Sequence, residues 1–363
     1  MTSWTIHGAD EHETALRASL VTLLDRRAVQ PPASPTAATP DRRLWEEICG
    51  DFGLGEVAAD EADGTYSPTR LMATCFELLG ERLAPVPAFS TLGLAAPLVR
   101  ACGGTQHVRS WWHELLAGRV VAAVAVPTDP VVVHDGATVT IRGTAPHTVD
   151  GAGADVLLVV AEVPGHGCCL LEVDPAEHER APRRPEAALD LSRELGHITF
   201  LDAPARVIGR TDAGAELRGA LATRSAVLLA AEQLGGLAAC LRLAVEHAKT
   251  RFQFGRSIGS FQAIKHRLSD MYLGMELTRT AVMQACGAID AGAADAELWA
   301  AIAHRTATEN FTRGAAQALQ IHGGLGFTWE HPIHLFVKRA RSSEVLLDLP
   351  SERTTRIVEL LGL

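Results

Sequence analysis

The chain has 363 residues, 47% of them apolar, and a formal net charge of −10. That acidic balance excludes non-specific nucleic-acid binding, which needs a basic surface, while the length allows two or three units around a large buried core. Seven cysteines, an odd count without a CxxC spacing, indicate neither a disulfide framework nor a zinc site.

Residues 1–28 read as one helix, with Leu16, Leu20, Leu23 and Leu24 at helical spacing. The first ten residues lack the basic-then-apolar pattern of a leader. No uninterrupted run of about 18 apolar residues is present to span a membrane. The nearest stretch, 219–236, is broken by Arg224, Glu232 and Gln233. By elimination the reading is a cytoplasmic protein without membrane or nucleic-acid partners. Residues 30–40, rich in proline, alanine, serine and threonine, form a flexible connector. Helical patterns resume over 41–118, most clearly at 71–83 and 107–117, and the prolines at 85 and 87 stop one of them. The acidic stretch 51–63 reads as a solvated loop, and Trp111 and Trp112 as anchors of a helix to its neighbours.

At Val120 the texture changes. The apolar run 120–126 is a buried-strand signature, and 131–134, 138–142, 156–163, 170–173 and 198–201 follow as short β-branched segments between glycine, proline and aspartate. No helix-length pattern interrupts them, so a mostly antiparallel barrel or sandwich is expected, with Cys168 and Cys169 in its core. From about residue 213 the pattern is helical again. The small residues Gly235, Gly236, Ala238 and Ala239 permit close helix crossings in a bundle. The expected class is α+β: an N-terminal helical domain (1–119), a central mostly antiparallel β domain (120–208) and a C-terminal helical bundle (209–363).

Two segments carry chemistry. Residues 251–259 (RFQFGRSIG) form a loop between two helices, in which arginine forks grip a phosphate and phenylalanines stack on a ring. The alternative is a solvated loop with its phenylalanines tucked into the core. Residues 320–332 (QIHGGLGFTWEHP) follow a helix over 301–320, and three glycines in four positions allow backbone to approach a ligand closely, or simply stop the helix. No strand precedes them, so a Rossmann reading fails. His322, His331 and His334 cluster but lack carboxylate or cysteine company, and Pro332 breaks helical ligand spacing, so they do not read as a metal site.

Taken together, RFQFGRSIGSFQAIKHRLSDMY and QIHGGLGFTWEHPIHLFVKRA resemble the RxxFGxxIxxFQ and QxxGGxGxxxExPxxRxxRDA blocks of the acyl-CoA dehydrogenase family. Helical, β and helical regions also succeed one another in the family's order. The resemblance implies FAD as cofactor, with its adenosine and pyrophosphate half bound by Arg251, Gln253, Phe254, Gln262, Gln320, Ile321, Gly323 and Gly324. The flavin ring would lie mainly in a neighbouring subunit. It implies an acyl-CoA or acyl-carrier thioester as substrate, α,β-dehydrogenation as the reaction, and a flavoprotein as electron acceptor.

The chain departs from the pattern where the base should be. The family's glutamate after the glycine block falls on Leu347, and its alternative position falls on Ser225. Asp348 and Glu344 are the remaining nearby carboxylates, and Arg224 lies two positions from the place of an arginine that often accompanies the second glutamate. The flavin-ring contacts are eroded too. Thr128-Asp129-Pro130 only echoes the first ring loop, and 142–148 lacks the tryptophan of the second and carries Pro146. This asymmetry resembles the base-deficient subunits of heteromeric bacterial acyl-CoA dehydrogenases, and implies a second such subunit as partner. The alternatives are a homo-oligomer using Asp348 or Glu344 as base, a different flavin reaction on the same fold, and a flavin-free scaffold or thioester-binding subunit.

Overall fold

The computed structural model describes residues 11–31, 39–59, 67–103, 106–134, 138–173 and 178–363. The N-terminal region holds α1 (Glu11–Arg26), α2 (Arg42–Glu46), α3 (Leu54–Ala59), α4 (Pro68–Arg82), α5 (Ala96–Cys102) and α6 (Gln106–Leu116). Helix α4 starts where Ser67 accepts a side-chain cap bond from the Arg70 N–H and Pro68 takes the first turn. It ends at Leu83, in the left-handed region at φ 46°, with Pro85 beyond. The first ten residues of the expected N-terminal helix lie outside the described residues. Part of the expected acidic loop is helical, as α3, and residues 60–66 lie outside the described residues.

Strands β1 (Ala122–Ala125), β2 (Thr128–His134), β3 (Val139–Val149), β4 (Val156–Val163), β5 (Gly167–Val173), β6 (Arg183–Pro185) and β7 (Leu195–Ile208) form one sheet in the order β1-β4-β5-β7-β3-β2, with β6 also on β7. Only the β1/β4 pair is parallel. Strand β3 runs seven residues past its expected end at 142. A register shift between Ala145 and Thr148 absorbs Pro146 and His147, the latter at φ 56°, so the missing proline N–H falls in a bulge and costs no ladder bond.

Then come α7 (Gly214–Ala220), α8 (Ala226–Thr250), the small hairpin β8 (Phe252–Gln253) and β9 (Arg256–Ser257), α9 (Gln262–Asp290), α10 (Ala296–His322), α11 (Ile333–Ser343) and α12 (Pro350–Leu360). A π-helical turn, Leu221–Ser225, joins α7 to α8. The resulting helix Gly214–Thr250 is long and apolar enough to cross a membrane by length and composition, longer than the broken stretch read from the sequence. In this fold 78% of its apolar window is buried.

Helix α8 is the spine of the molecule, and small residues set how closely its neighbours approach. A Cβ on Gly80 of α4 would collide with the Glu232 carbonyl, and one on Gly235 of α8 with the Glu77 carbonyl, so each glycine admits the other helix's backbone. The next residue, Gly236, receives the ring of Phe311 from α10, which is 1% exposed. Dense interlocking of this kind makes burial of Phe311 worth about 1.5–3 kcal/mol.

One polar cluster is built into this apolar frame. Arg193, from the turn before β7, bonds Glu232 of α8 at 2.6 Å, and Arg339 of α11 bonds the same Glu232 at 2.7 Å and Asp190 at 2.5 Å. Asp150, at the end of β3, accepts a 2.6 Å bond from the Ser90 hydroxyl. Burial alone would raise the carboxyls of Asp190 and Glu232, but the two guanidinium groups overturn it and hold both below their ordinary range. Asp150 is pushed up to about 6 by burial.

Candidate functional site

The 251–259 segment folds as the β8/β9 hairpin. Its two turn residues, Phe254 (φ 55°) and Gly255 (φ 77°), both adopt positive φ, the geometry of the hairpin turn that matches strand twist. The turn leaves the Phe254 ring 92% exposed. The hairpin is anchored at its root, where the Arg251 N–H donates to the His247 carbonyl (2.9 Å) and the Arg251 carbonyl accepts from Ile258 (2.8 Å). The Arg256 guanidinium lies 4.1 Å from the Phe261 ring centroid. The Arg251 side chain is exposed and has no carboxylate partner among the described residues.

At the end of α10, Gly323 takes φ 61° and ψ −139°. A Cβ on Gly323 or Gly324 would meet nothing, whereas one on Gly326 would press on Leu319, His322 and Ile333. Gly326 therefore serves packing, and the pair before it leaves backbone open to a ligand. Gln253, Gln262 and Gln320 are exposed. Ile321 is a core residue, so only its backbone is available. An unpaired guanidinium, amide side chains, open backbone and an exposed ring fit a diphosphate with an aromatic end.

Three histidines join the two segments. His247, one turn before Arg251, stacks on His322 with ring centroids 4.5 Å apart, and His331 lies 4.2 Å from His322 on a tilted ring. His322 donates from Nδ1 to the Ala318 carbonyl at 2.8 Å, and its buried Nε2 has no partner. Burial lowers all three, His331 to about 4; neighbouring imidazoles add to it at His247 and His331, and Arg251 at His247, while the bond to the Ala318 carbonyl opposes it at His322. His334 packs separately, edge-on to Trp329 at 4.7 Å. Among the described residues no group of three His, Cys, Asp or Glu stands where it could hold a metal ion. The sequence grouped His322 with His331 and His334; His247, more than seventy residues earlier, is the member that its spacing did not reveal.

A second region, a cleft of about 570 Å³, lies between the α7–α8 turn, α10 and the segment before α12. Leu347 and Ala226 both line it, and Ser225, next to Ala226, is fully buried with its hydroxyl unpartnered. Of the two positions where the family pattern places a glutamate, Leu347 thus lines the cleft and Ser225 lies buried behind it, beside the lining residue Ala226. Asp348 lines it too, but its carboxylate is bound by Arg353 Nε, while Arg353 Nη2 donates to the carbonyls of Asp348 (3.0 Å) and Glu344. Burial raises the Asp348 carboxyl, against the pull of Arg353. His304 Nδ1 sits 3.8 Å from Asp348, and burial takes this imidazole down to about 3, so it is neutral. Glu344 pairs with Arg341 at 3.0 Å and faces a different cleft, beside Arg305 and Arg313.

The ring-contact segments of the β domain are placed as follows. Thr128, Asp129 and Pro130 are exposed at the bulge where β2 leaves its register with β3. His147 is held by Glu186, which accepts from its N–H and pairs with its Nδ1, both at 2.8 Å.

The fold is thus a curled sheet between two helical regions, with open backbone and an exposed hairpin at the ends of α10 and α8 and a cleft lined by Leu347 and Asp348. Residues 213–347 match the family described as acyl-CoA dehydrogenase, C-terminal domain. The chain is 32% identical to the acyl-CoA dehydrogenase IpdE2 of Mycobacterium tuberculosis over 96% of each sequence. Its fold superimposes on the ChsE4–ChsE5 complex of the same organism with a TM-score of 0.84 at 27% identity, covering 98% of both chains. It also superimposes on butyryl-CoA dehydrogenase of Megasphaera elsdenii with a TM-score of 0.88 at 19% identity, covering 99% of this chain and 100% of that one. The chain belongs to the acyl-CoA dehydrogenase family.

Proposed function

We propose that this chain is one subunit of an FAD-dependent acyl-thioester α,β-dehydrogenase, supplying the cradle for the adenosine and pyrophosphate half of the cofactor while a partner chain carries the base. One contrast carries the reading. Arg251 is unpaired and Gly323 and Gly324 are open, while Leu347 lines the cleft and Ser225 is buried beside it, so neither position offers a proton acceptor. FAD, if bound, would supply the hydride acceptor for the β-carbon, and a carboxylate would be needed to take the α-proton. Arg251 would pair with the diphosphate across the subunit interface, Phe254 would lie along the cofactor, and Gly323 and Gly324 would let the backbone approach it. Leu347 has no proton-accepting atom. Asp348 has one carboxylate oxygen, Oδ1, tied into an ion pair with Arg353, which restrains it as a base toward a substrate carbon. The relation to the ChsE4–ChsE5 complex, an assembly of two named components, supports a two-chain assembly.

The test is anaerobic flavin reduction by a panel of acyl-CoA and acyl-carrier thioesters, run on the purified chain and on the complex it forms when co-purified from its host. The expected outcome is no bleaching by the chain alone and bleaching by the complex. Robust bleaching by the chain alone, abolished in Asp348→Asn or Glu344→Gln, would make it a self-sufficient dehydrogenase with a relocated base. A colourless complex would leave it a scaffold.

A further inference from the structure

The histidine column raises a question that the cradle alone does not answer. The hairpin at 251–259 and the glycines at 323–324 follow different helices, and His247, His322 and His331 stack between their ends. We propose that these three residues are positioning residues: a neutral column of stacked imidazoles that locks the arginine hairpin to the glycine cradle and releases it on protonation. The inference rests on the flavin reading above.

The geometry is specific. His247 lies one helical turn before Arg251, and its carbonyl holds the Arg251 N–H, so the imidazole and the guanidinium move as one unit. His322 immediately precedes Gly323 and His331 follows in the same segment, so the far side of the column moves with the glycines. With rings at 4.5 and 4.2 Å, a shift of either helix end by about 1 Å breaks the stack, and a displacement of that size at a binding site is costly.

The proton's landing site is also specified. His322 donates from Nδ1, so its Nε2 carries the lone pair, and no donor reaches it. His331 Nδ1 accepts from the Ile333 N–H at 3.3 Å, which likewise suits a neutral ring. The groups around the column are His247 and Arg251 from the end of α8, the Ala318 carbonyl of α10, and His331, with His334 and then Lys338 beyond it, from the start of α11. Glu330 is exposed. A proton on Nε2 would put a buried cation between two imidazoles, and the column would open to hydrate it. For a histidine lowered on folding, the stabilising contribution is complete above its unfolded value and drains away as the pH falls toward the folded one. For His331 that window runs from 6.5 down to about 4.

The experiment follows FAD release by fluorescence from the full chain in its complex as pH is lowered across that window. It compares wild type, His322→Phe and His322→Ala. Phenylalanine keeps a flat ring in the column but cannot take the proton. It should hold FAD at neutral pH and move the release midpoint acidward by about half a pH unit or more. Alanine leaves a gap and should weaken FAD binding roughly tenfold at neutral pH. Coincident release curves for wild type and His322→Phe, or unchanged neutral affinity in His322→Ala, would overturn the column while leaving the flavin reading intact, since Arg251→Ala reports on that separately. If wild type binds no FAD, the pH dependence of the thermal midpoint decides the matter. A shallower acid slope in His322→Phe supports the column, and parallel slopes sink it.

Discussion

Arg251 stands exposed on a hairpin without a carboxylate of its own chain to neutralise it, and that isolation gives a measurable expectation. A charge-assisted contact to a diphosphate is worth about 1.5–3 kcal/mol, so Arg251→Ala should weaken flavin retention by roughly one to two orders of magnitude on gel filtration. Its far-ultraviolet circular dichroism should stay unchanged, because the side chain supports nothing else among the described residues. Asp348 is the opposite case, a carboxylate with one oxygen, Oδ1, bound by a buried arginine. Asp348→Asn in the complex should leave turnover within about twofold while lowering the thermal midpoint, because Arg353, 3% exposed, loses its charged partner. A loss of turnover with an unshifted melting curve would assign the proton transfer to Asp348. At this scale local structure was legible in the sequence: the loop at 251–259 between two helices and the glycine stop after 320 are short-range features, while the cofactor contacts of Arg251, Gly323 and Gly324 came from the family resemblance. The bond from Arg353 to Asp348 was not legible, since nothing in a five-residue separation dictates that the arginine turns back.

Among the elements, the α4/α8 crossing is a tight joint, and Gly235 is its pivot. Gly235→Ala pushes a methyl into the Glu77 carbonyl and should cost roughly 1–3 kcal/mol in urea unfolding. Gly287→Ala, on the open face of α9 where nothing lies within 4 Å, is the control and should be neutral or stabilising by about 0.5–1 kcal/mol. Equal effects at the two sites would show that helix propensity, and not backbone contact, governs Gly235. The small residues in α8 announced a close crossing before its partner was known, because composition reports proximity without naming the neighbour. The length of β3 stayed hidden for a related reason. Pro146 signals the end of a ladder, and only the pairing with β7 supplies the bulge that carries the strand past it.

At the scale of the whole molecule, the buried charges at the junction of sheet and bundle set the response to pH. Asp150 is raised from 3.8 to about 6, so the fold prefers its protonated form. Its contribution is complete below the unfolded value and is lost as the pH rises through about 6. Asp150→Asn removes that cost, and asparagine tolerates the φ of 53° at this position. The variant should melt a few degrees higher than wild type above pH 6, with the difference closing toward pH 4. A variant that melts lower at every pH would mean that the ionised carboxylate is a working member of the cluster with Arg193 and Arg339. None of this cluster was legible in the sequence beyond Glu232 breaking an apolar run, because its members are drawn from four separate stretches of chain. The long helix Gly214–Thr250 depends on the same distant company. During synthesis it emerges after α4 but before α9 and α10, the two helices that cover its other sides. A ribosome paused between them would display an apolar rod of membrane-spanning length with half its shelter still unmade. The chain's yield in a cell should therefore depend on translation speed across residues 250–322 and on chaperones that shield such rods, with slow codons there diverting product to inclusion bodies or to the membrane fraction.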